Sequence, residues 1–371
     1  MTNPAKNIPC ALQMYPENEK YRESIRNFQG CPTVATTKNG RIFLGWYSGG
    51  TTEPHMENYN LLIKSDDGGK TWSKPILVIP SDKNQLIHAL DIQLWTAPDG
   101  ALYVFWVQNN VRYLPTNVRP PRPDWVKANQ PWTWNENYEF FDFDHAMWVS
   151  VCENPDADVL EFSAPRYLDK GFLRCKPLVL KSGRWLLFNY DQNTERYGYS
   201  ISDDAGKTLT RHYGSQKLST NFDEGMAYEL QDGSVRMLAR NNLGALTECF
   251  SHDGGSSWSE AALSDIVSAD TRFYIARTPT GRLLLVHNNC PDIRTNMTVS
   301  LSEDDGVTWK YSQCIDTRES LSYPDADFYD GKIYLTYDRE RTGAKEILFA
   351  VFTEEDLING NKIETTIVSK P

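Results

Sequence analysis

Ser65-Asp-Asp-Gly-Gly-Lys-Thr-Trp72, Ser251-His-Asp-Gly-Gly-Ser-Ser-Trp258 and Ser302-Glu-Asp-Asp-Gly-Val-Thr-Trp309 are three spellings of one phrase, Ser-x-Asp-x-Gly-x-Ser/Thr-Trp. A fourth copy, Ser202-Asp-Asp-Ala-Gly-Lys-Thr-Leu209, ends in Leu. The copies starting at 202, 251 and 302 recur at roughly 50 residues, the period of a repeated supersecondary unit. Each phrase has the chemistry of a hairpin turn. Ser and Asp side chains bond nearby amides, Gly accepts a positive φ, and Trp covers the adjacent sheet. The box aspartates Asp67, Asp204, Asp253 and Asp305 are therefore read as structural.

A second repeat is more complete. A turn Gly followed by an apolar strand occurs at Gly40, Gly100, Gly183, Gly233, Gly281 and Gly331, preceded each time by Asn, Asp, Ser or Thr. Six such strands imply an all-β chain folded as a six-bladed β-propeller, a single domain over 1–371, with a box in the second hairpin of blades one, three, four and five. The long interval from Gly100 to Gly183 locates an inserted loop at about 109–145 in blade two, rich in Pro and aromatic residues, which reads as a lid or a contact loop. The N-terminal segment is expected to help close the ring. Helix signal is confined to a short turn near Thr353–Asn359.

Composition narrows the function classes. With 11 Trp, 19 Tyr and 15 Phe in 371 residues, the aromatic content suits sheets. The net charge of −11 argues against nucleic-acid or anionic-membrane partners, although a basic pocket inside an acidic shell stays compatible with it. There is no apolar run of membrane-spanning length and no signal-peptide pattern at the N-terminus, so a cytoplasmic location is expected. Seven scattered Cys without a C-x-x-C pair read as free thiols, and the six His have no metal-binding spacing. No metal and no cofactor are expected.

In a propeller the innermost strands converge on one axis, so ligand groups should stand just upstream of each turn Gly. Those segments hold Gln29-Gly-Cys-Pro32, Asp91, Lys176-Pro177, Asp223-Glu224, Arg272 and Ser322-Tyr-Pro-Asp325, with Arg240 and Arg294 nearby. Carboxylates, a tyrosine and arginines around one axis suit an anionic sugar and glycosyl transfer to water.

On these boxes, the blade count and these segments, the chain resembles the sialidase (neuraminidase) superfamily of Asp-box, or BNR-repeat, proteins over essentially its whole length. The resemblance implies an exo-acting, retaining glycoside hydrolase that removes a terminal acidic sugar, sialic acid or a relative, from a glycan or small acidic glycoside. It implies Tyr323 as nucleophile paired with Glu224, and Glu53 as acid/base with Glu57 as the alternate. Arg240 and Arg294 match two arginines that grip the substrate carboxylate, and Asp91, Asp325 and Lys176 are further substrate contacts. One position departs. The family's first arginine falls where this chain has Gly30-Cys-Pro32, and a Gly offers no guanidinium fork. Arg22 and Arg26 are near but out of phase. A glycosidase or lyase for another acidic sugar such as a uronic acid, and a non-catalytic carbohydrate-binding propeller, therefore stand as alternatives. Oligomeric state is left open.

Overall fold

The computed structural model describes residues 3–113, 138–140, 145–219 and 222–371. Six consecutive antiparallel sheets form a β-propeller, as the six turn glycines predict. Their inner strands are Phe28–Thr36, Ile87–Thr96, the broken pair Phe172–Leu173 and Leu178–Val179, Gly225–Glu229, Tyr274–Arg277 and Leu321–Tyr329. Each is followed outward by three more strands, and Gln13–Met14 adds a fifth to the outer edge of blade one. The turn glycines cap the first hairpin of every blade, all with φ between 70° and 94°. The apolar faces of neighbouring blades pack on each other, with Trp46, Trp106, Tyr199, Tyr228 and Tyr337 among the largest fully buried side chains. The turn expected near 353–359 is the helix Glu354–Ile358, closed by a capping box between Thr353 and Asp356.

The boxes lie between the third and fourth strands. In the first, Ser65 Oγ donates to Asp67 and accepts from the Gly69 amide, while Asp67 accepts from the Lys70 and Thr71 amides. The closing Trp reaches the preceding blade: Trp72 meets Phe349 edge-on at 5.1 Å, and Trp258 meets Phe188 and Tyr199 at 6.0 and 5.9 Å. One expectation is corrected. In the last box the turn carboxylate is Asp304, bonded to Ser302 and Thr308, because the third position of the phrase is Asp304. Asp305, at φ 58°, instead accepts from Arg277 and the Gln231 amide, tying blade five to blade four.

Among the described residues no strand is exchanged to close the ring. Blade six meets blade one through polar contacts: Asp325 accepts from Thr33 Oγ1 and the Val34 amide, Asp327 from the Thr36 amide, and Asp338 from the Cys31 amide. The N-terminal segment contributes where Arg26 and Gln29 reach Ser369, while residues 5–10 run against blade two and bond Gln108 and Asn110. The inserted loop is rooted in an extension of blade two, where Tyr138–Phe140 pairs with the far end of Leu102–Tyr113. The rest of the segment read as a lid, 114–137 and 141–144, lies outside the described residues. Among the described residues no helix is long and apolar enough to cross a membrane.

Candidate active site

Antiparallel connectivity sorts the loops onto two faces. Turn glycines and boxes share one face, so the starts of the inner strands and the loops between second and third strands share the other. Three inner strands carry the same irregularity at that end. The register shifts between Gly30 and Thr33, Leu90 and Gln93, and Ser322 and Asp325, and the bulged residues Cys31, Asp91 and Tyr323 have φ of 57°, 58° and 54°. A bulge re-aims a side chain, and a non-glycine residue held at such a φ costs of order 1–3 kcal/mol. Pro32 and Pro324 follow two of them, where the ladder asks for no amide.

The result is a ring of charged groups about Tyr323. Its hydroxyl donates to Glu224 Oε1 at 2.6 Å. Arg240 Nη1 donates to Glu224 Oε2 at 2.8 Å and to Tyr323 Oη at 3.1 Å, and Arg240 Nε donates to Asp270 at 2.7 Å. Arg174 Nε reaches Glu224 Oε1 at 3.3 Å, and its other arm pairs with Asp91. The guanidiniums of Arg341, Arg174 and Arg272 stand 4.3, 4.9 and 5.1 Å from the Tyr323 ring centroid. Arg294 donates to the Asp270 carbonyl at 2.8 and 3.2 Å.

Burial and these charges set the protonation states. Burial would raise Glu224, but Arg240 and Arg174 outweigh it and, with the Tyr323 hydrogen bond, bring it down to about 2. Burial and then Glu224 push the Tyr323 phenol well above its ordinary value, against Arg240 and Arg174, so it stands neutral beside an ionised acceptor. Burial lifts Asp91 to about 6, opposed by Arg174 and helped by Glu53. Arg294 is lowered by burial, then by the like charges of Arg240 and Arg341.

Of the residues named from sequence, Tyr323, Glu224, Arg240, Arg294, Asp91 and Glu53 are brought to this one site. Glu53 stands in the loop after the second strand of blade one and pairs with Arg341 at 2.7 Å. The alternate, Glu57, pairs with Lys83 at the surface. Lys176 and Asp325 are largely buried and paired with each other. Lys176 Nζ bonds Asp325 at 2.9 Å and the Val34 and Ala326 carbonyls at 2.7 Å. Lys176 uses its three donors within the protein and Asp325 accepts through Oδ2, so the pair forms a polar plug between blades three, six and one. Arg272 joins the plug through the Pro32, Arg174, Tyr323 and Pro324 carbonyls.

The gap at Gly30 is filled from elsewhere. Arg341, in the loop after the second strand of blade six, lies across Gly30 so closely that a Cβ there would stand 2.7 Å from its Cγ and Cδ. Arg22 pairs with Glu19, and Arg26 turns to the Tyr21 carbonyl and Ser369, so neither neighbour of Gly30 supplies the missing guanidinium. Arg174, Asp270 and Arg341 were missed in the sequence. Arg240, Arg294 and Arg341 share a signal that finds them: each sits in or at the edge of a loop between second and third strands, the loops that open on the site face. As for a metal, Cys31, Glu53 and Asp91 bring donor atoms within 4.8 Å of one another. Arg341 and Arg174 already take the two carboxylates, and burial raises the Cys31 thiol, so the set fits a cation poorly.

A family described as BNR repeat-like domain matches residues 153–335. The anhydrosialidase of Macrobdella decora is 26% identical over 178 residues, covering 43% of this chain and 23% of that protein. Residues 153–335 are thus similar to BNR repeats, and the chain is similar to a sialidase. This propeller spans only about a quarter of the length of that curated relative. Solved structures agree on the fold. The NanB sialidase of Streptococcus pneumoniae has a TM-score of 0.64 at 16% identity, over 98% of this chain and 70% of that one. The intramolecular trans-sialidase of Ruminococcus gnavus, in complex with oseltamivir carboxylate, has 0.63 at 16%, over 96% and 97%. A protein of unknown function from Dyadobacter fermentans has 0.64 at 20%, over 90% and 96%.

Proposed function

We propose that this BNR-repeat propeller is an exo-acting, retaining glycoside hydrolase for a terminal acidic sugar, with Tyr323 as nucleophile. The observation that carries the reading is the hydrogen bond from Tyr323 to Glu224 at 2.6 Å, bridged by Arg240. A neutral phenol beside an ionised carboxylate is set to lose its proton as its oxygen attacks the anomeric carbon. Glu224 takes that proton, and Arg240 and Arg174 stabilise the charge that develops. A phenol also avoids placing an anionic nucleophile against an anionic substrate, the case in which tyrosine replaces the usual carboxylate. Glu53 protonates the departing oxygen and, as a carboxylate, then draws a proton from the water that releases the sugar, while Glu224 returns the proton to Tyr323. Arg240 and Arg294 hold the acidic group.

Tyr323→Phe, assayed on an aryl glycoside of an acidic sugar, is expected to lower kcat by on the order of 10³-fold or more. Near-full activity of that variant, or an inverted anomer as first product by NMR, would overturn the mechanism.

The names of the Macrobdella decora and Ruminococcus gnavus relatives favour one second reading, in which the sugar's own hydroxyl resolves the covalent intermediate. Its product is lighter by one water than the hydrolytic one, so mass spectrometry separates the two. The non-catalytic carbohydrate-binding reading rested on the missing arginine at position 30, and Arg341 lying across that position supports the catalytic reading instead.

A further inference from the structure

Arg341 has three hydrogen-bonding edges, and they are used unequally. Nε donates to Asp338 at 3.2 Å, and the same carboxylate accepts from Ser322 and the Cys31 amide, which fixes the root of the guanidinium. Nη1 carries Glu53 at 2.7 Å, while Nη2 is buried without a partner. Glu53 is bound by one arm alone, its side chain is 30% exposed, and Arg341 is its one ion-pair partner among the described residues. Glu53 is thus the weakly held member of the set. Arg240 has Glu224 and Asp270 as carboxylate partners, whereas Arg294 bonds only a backbone carbonyl among the described residues. Arg294 therefore has no carboxylate of its own among the described residues, and Arg341 keeps one nitrogen, Nη2, unused beside the Nη1 that Glu53 occupies.

We propose that Arg341 is a ligand-binding arginine whose place in the empty protein is held by Glu53, so that an acidic ligand enters by displacing the Glu53 carboxylate and thereby frees it for proton transfer. The proposal rests on the reading of the site as one for an acidic sugar. A ligand carboxylate can engage Nη1 and Nη2 together, the bidentate geometry that Glu53 does not make. Once displaced, Glu53 loses its cation and faces Asp91 with Arg174 behind it, Cys31 and Tyr47, and the incoming anion. Two carboxylates within 4.8 Å, one of them stripped of its guanidinium, bind a proton from solvent more readily. Glu53 then meets the leaving group as an acid, and a neutral ligand leaves it locked to Arg341 as a carboxylate. Gly30 is part of the device, because any side chain there would push Arg341 off its seat.

Oseltamivir carboxylate and its uncharged ethyl ester are the probes, measured by calorimetry in two buffers of different ionisation enthalpy near pH 6.5. The wild-type protein is expected to prefer the carboxylate and to take up a fraction of a proton on binding it. Arg341→Met should weaken the carboxylate about 10- to 100-fold, leave the ester unchanged and abolish the uptake, with Arg341→Lys intermediate. Glu53→Gln should bind the carboxylate several-fold more tightly, since nothing has to be displaced, again without uptake. Unchanged melting temperatures keep these effects apart from misfolding, and a ligand-charge preference and a proton count do not move for a merely structural arginine. If Arg240→Met loses the carboxylate while Arg341→Met keeps wild-type affinity and uptake, this proposal fails and the acidic-sugar site stands. If the wild-type protein binds neither probe, or both equally, the acidic-sugar reading and this proposal fall together.

Discussion

Glu224 and Tyr323 separate two effects that are easily confused. Glu224 raises the phenol's pKa by its charge, yet it is the base that the attacking phenol needs. Glu224→Gln removes the charge while Arg240 and Arg174 remain, so Tyr323 should ionise more easily and still react more slowly. The phenolate absorbance near 295 nm, with Glu224→Gln/Tyr323→Phe subtracted, should show a tyrosine titrating at lower pH than in the wild-type protein. Turnover should fall by about 10²–10⁴-fold, the usual worth of a positioned base. A phenol that titrates higher, or turnover that survives, would leave Glu224 as a structural partner only. Not every residue of this site was legible in the chain. Tyr323, Glu224, Arg240 and Arg294 stand at fixed distances from the repeat landmarks, and spacing finds them. Arg341 does not, because its placement depends on the empty space over Gly30 in another blade, a three-dimensional complement that neither position reveals alone.

At the scale of the element, prominence in the sequence and proximity to chemistry came apart. The boxes are the loudest repeats, yet the connectivity of each blade puts them on the face opposite the loops that carry Glu53, Arg240, Arg294 and Arg341. Turn glycines counted the blades correctly, because a positive φ at a hairpin tip is a local demand that sequence expresses directly. The bulges at Cys31, Asp91 and Tyr323 were invisible, since a register shift arises between two strands rather than within one. Lys176 and Asp325 show the same limit, for sequence placed them near the axis without showing whether they face ligand or each other. The two faces give an element-level expectation. Trp258 is half-buried against Phe188 and Tyr199, so Trp258→Ala should lower unfolding free energy by about 2 kcal/mol. Its kcat/KM should stay within about twofold of wild type at a temperature where the variant is fully folded. A selective loss of activity without loss of stability in urea titration would contradict the assignment of that face to structure.

Across the whole molecule, two populations of carboxylates pull stability in opposite directions with pH. Asp91 and Asp223 are buried on the axis, and burial raises both to about 6 against the attraction of Arg174 and Lys217; Asp327 moves the same way. A group whose folded pKa lies above its unfolded value favours the folded state below the unfolded value, and that contribution is lost as pH rises through the folded one. These aspartates therefore withdraw stability between about pH 4 and pH 6. The box aspartates Asp204, Asp253 and Asp304 go the other way, brought down to about 2 chiefly by hydrogen bonds from Thr208, Ser257 and Thr308. Their contribution is present above about pH 4 and is lost as pH falls toward 2. The buried histidines His88, His145 and His287 are brought down by burial to about 3, 3 and 4. They withhold protons that the unfolded chain takes up below about pH 6.5, so they outweigh the raised aspartates, and stability should climb from pH 3 toward neutrality. Urea unfolding from pH 3 to pH 8 measures the curve, and Asp91→Asn with Asp223→Asn measures the aspartates' share of it. The double variant should steepen the rise between pH 4 and pH 6 and leave the acid limb in place, because the boxes stand on the opposite face and share no partner with these two residues. A slope between pH 4 and pH 6 that the double substitution leaves unchanged would mean that Arg174 and Lys217 win over burial and that Asp91 stays ionised throughout.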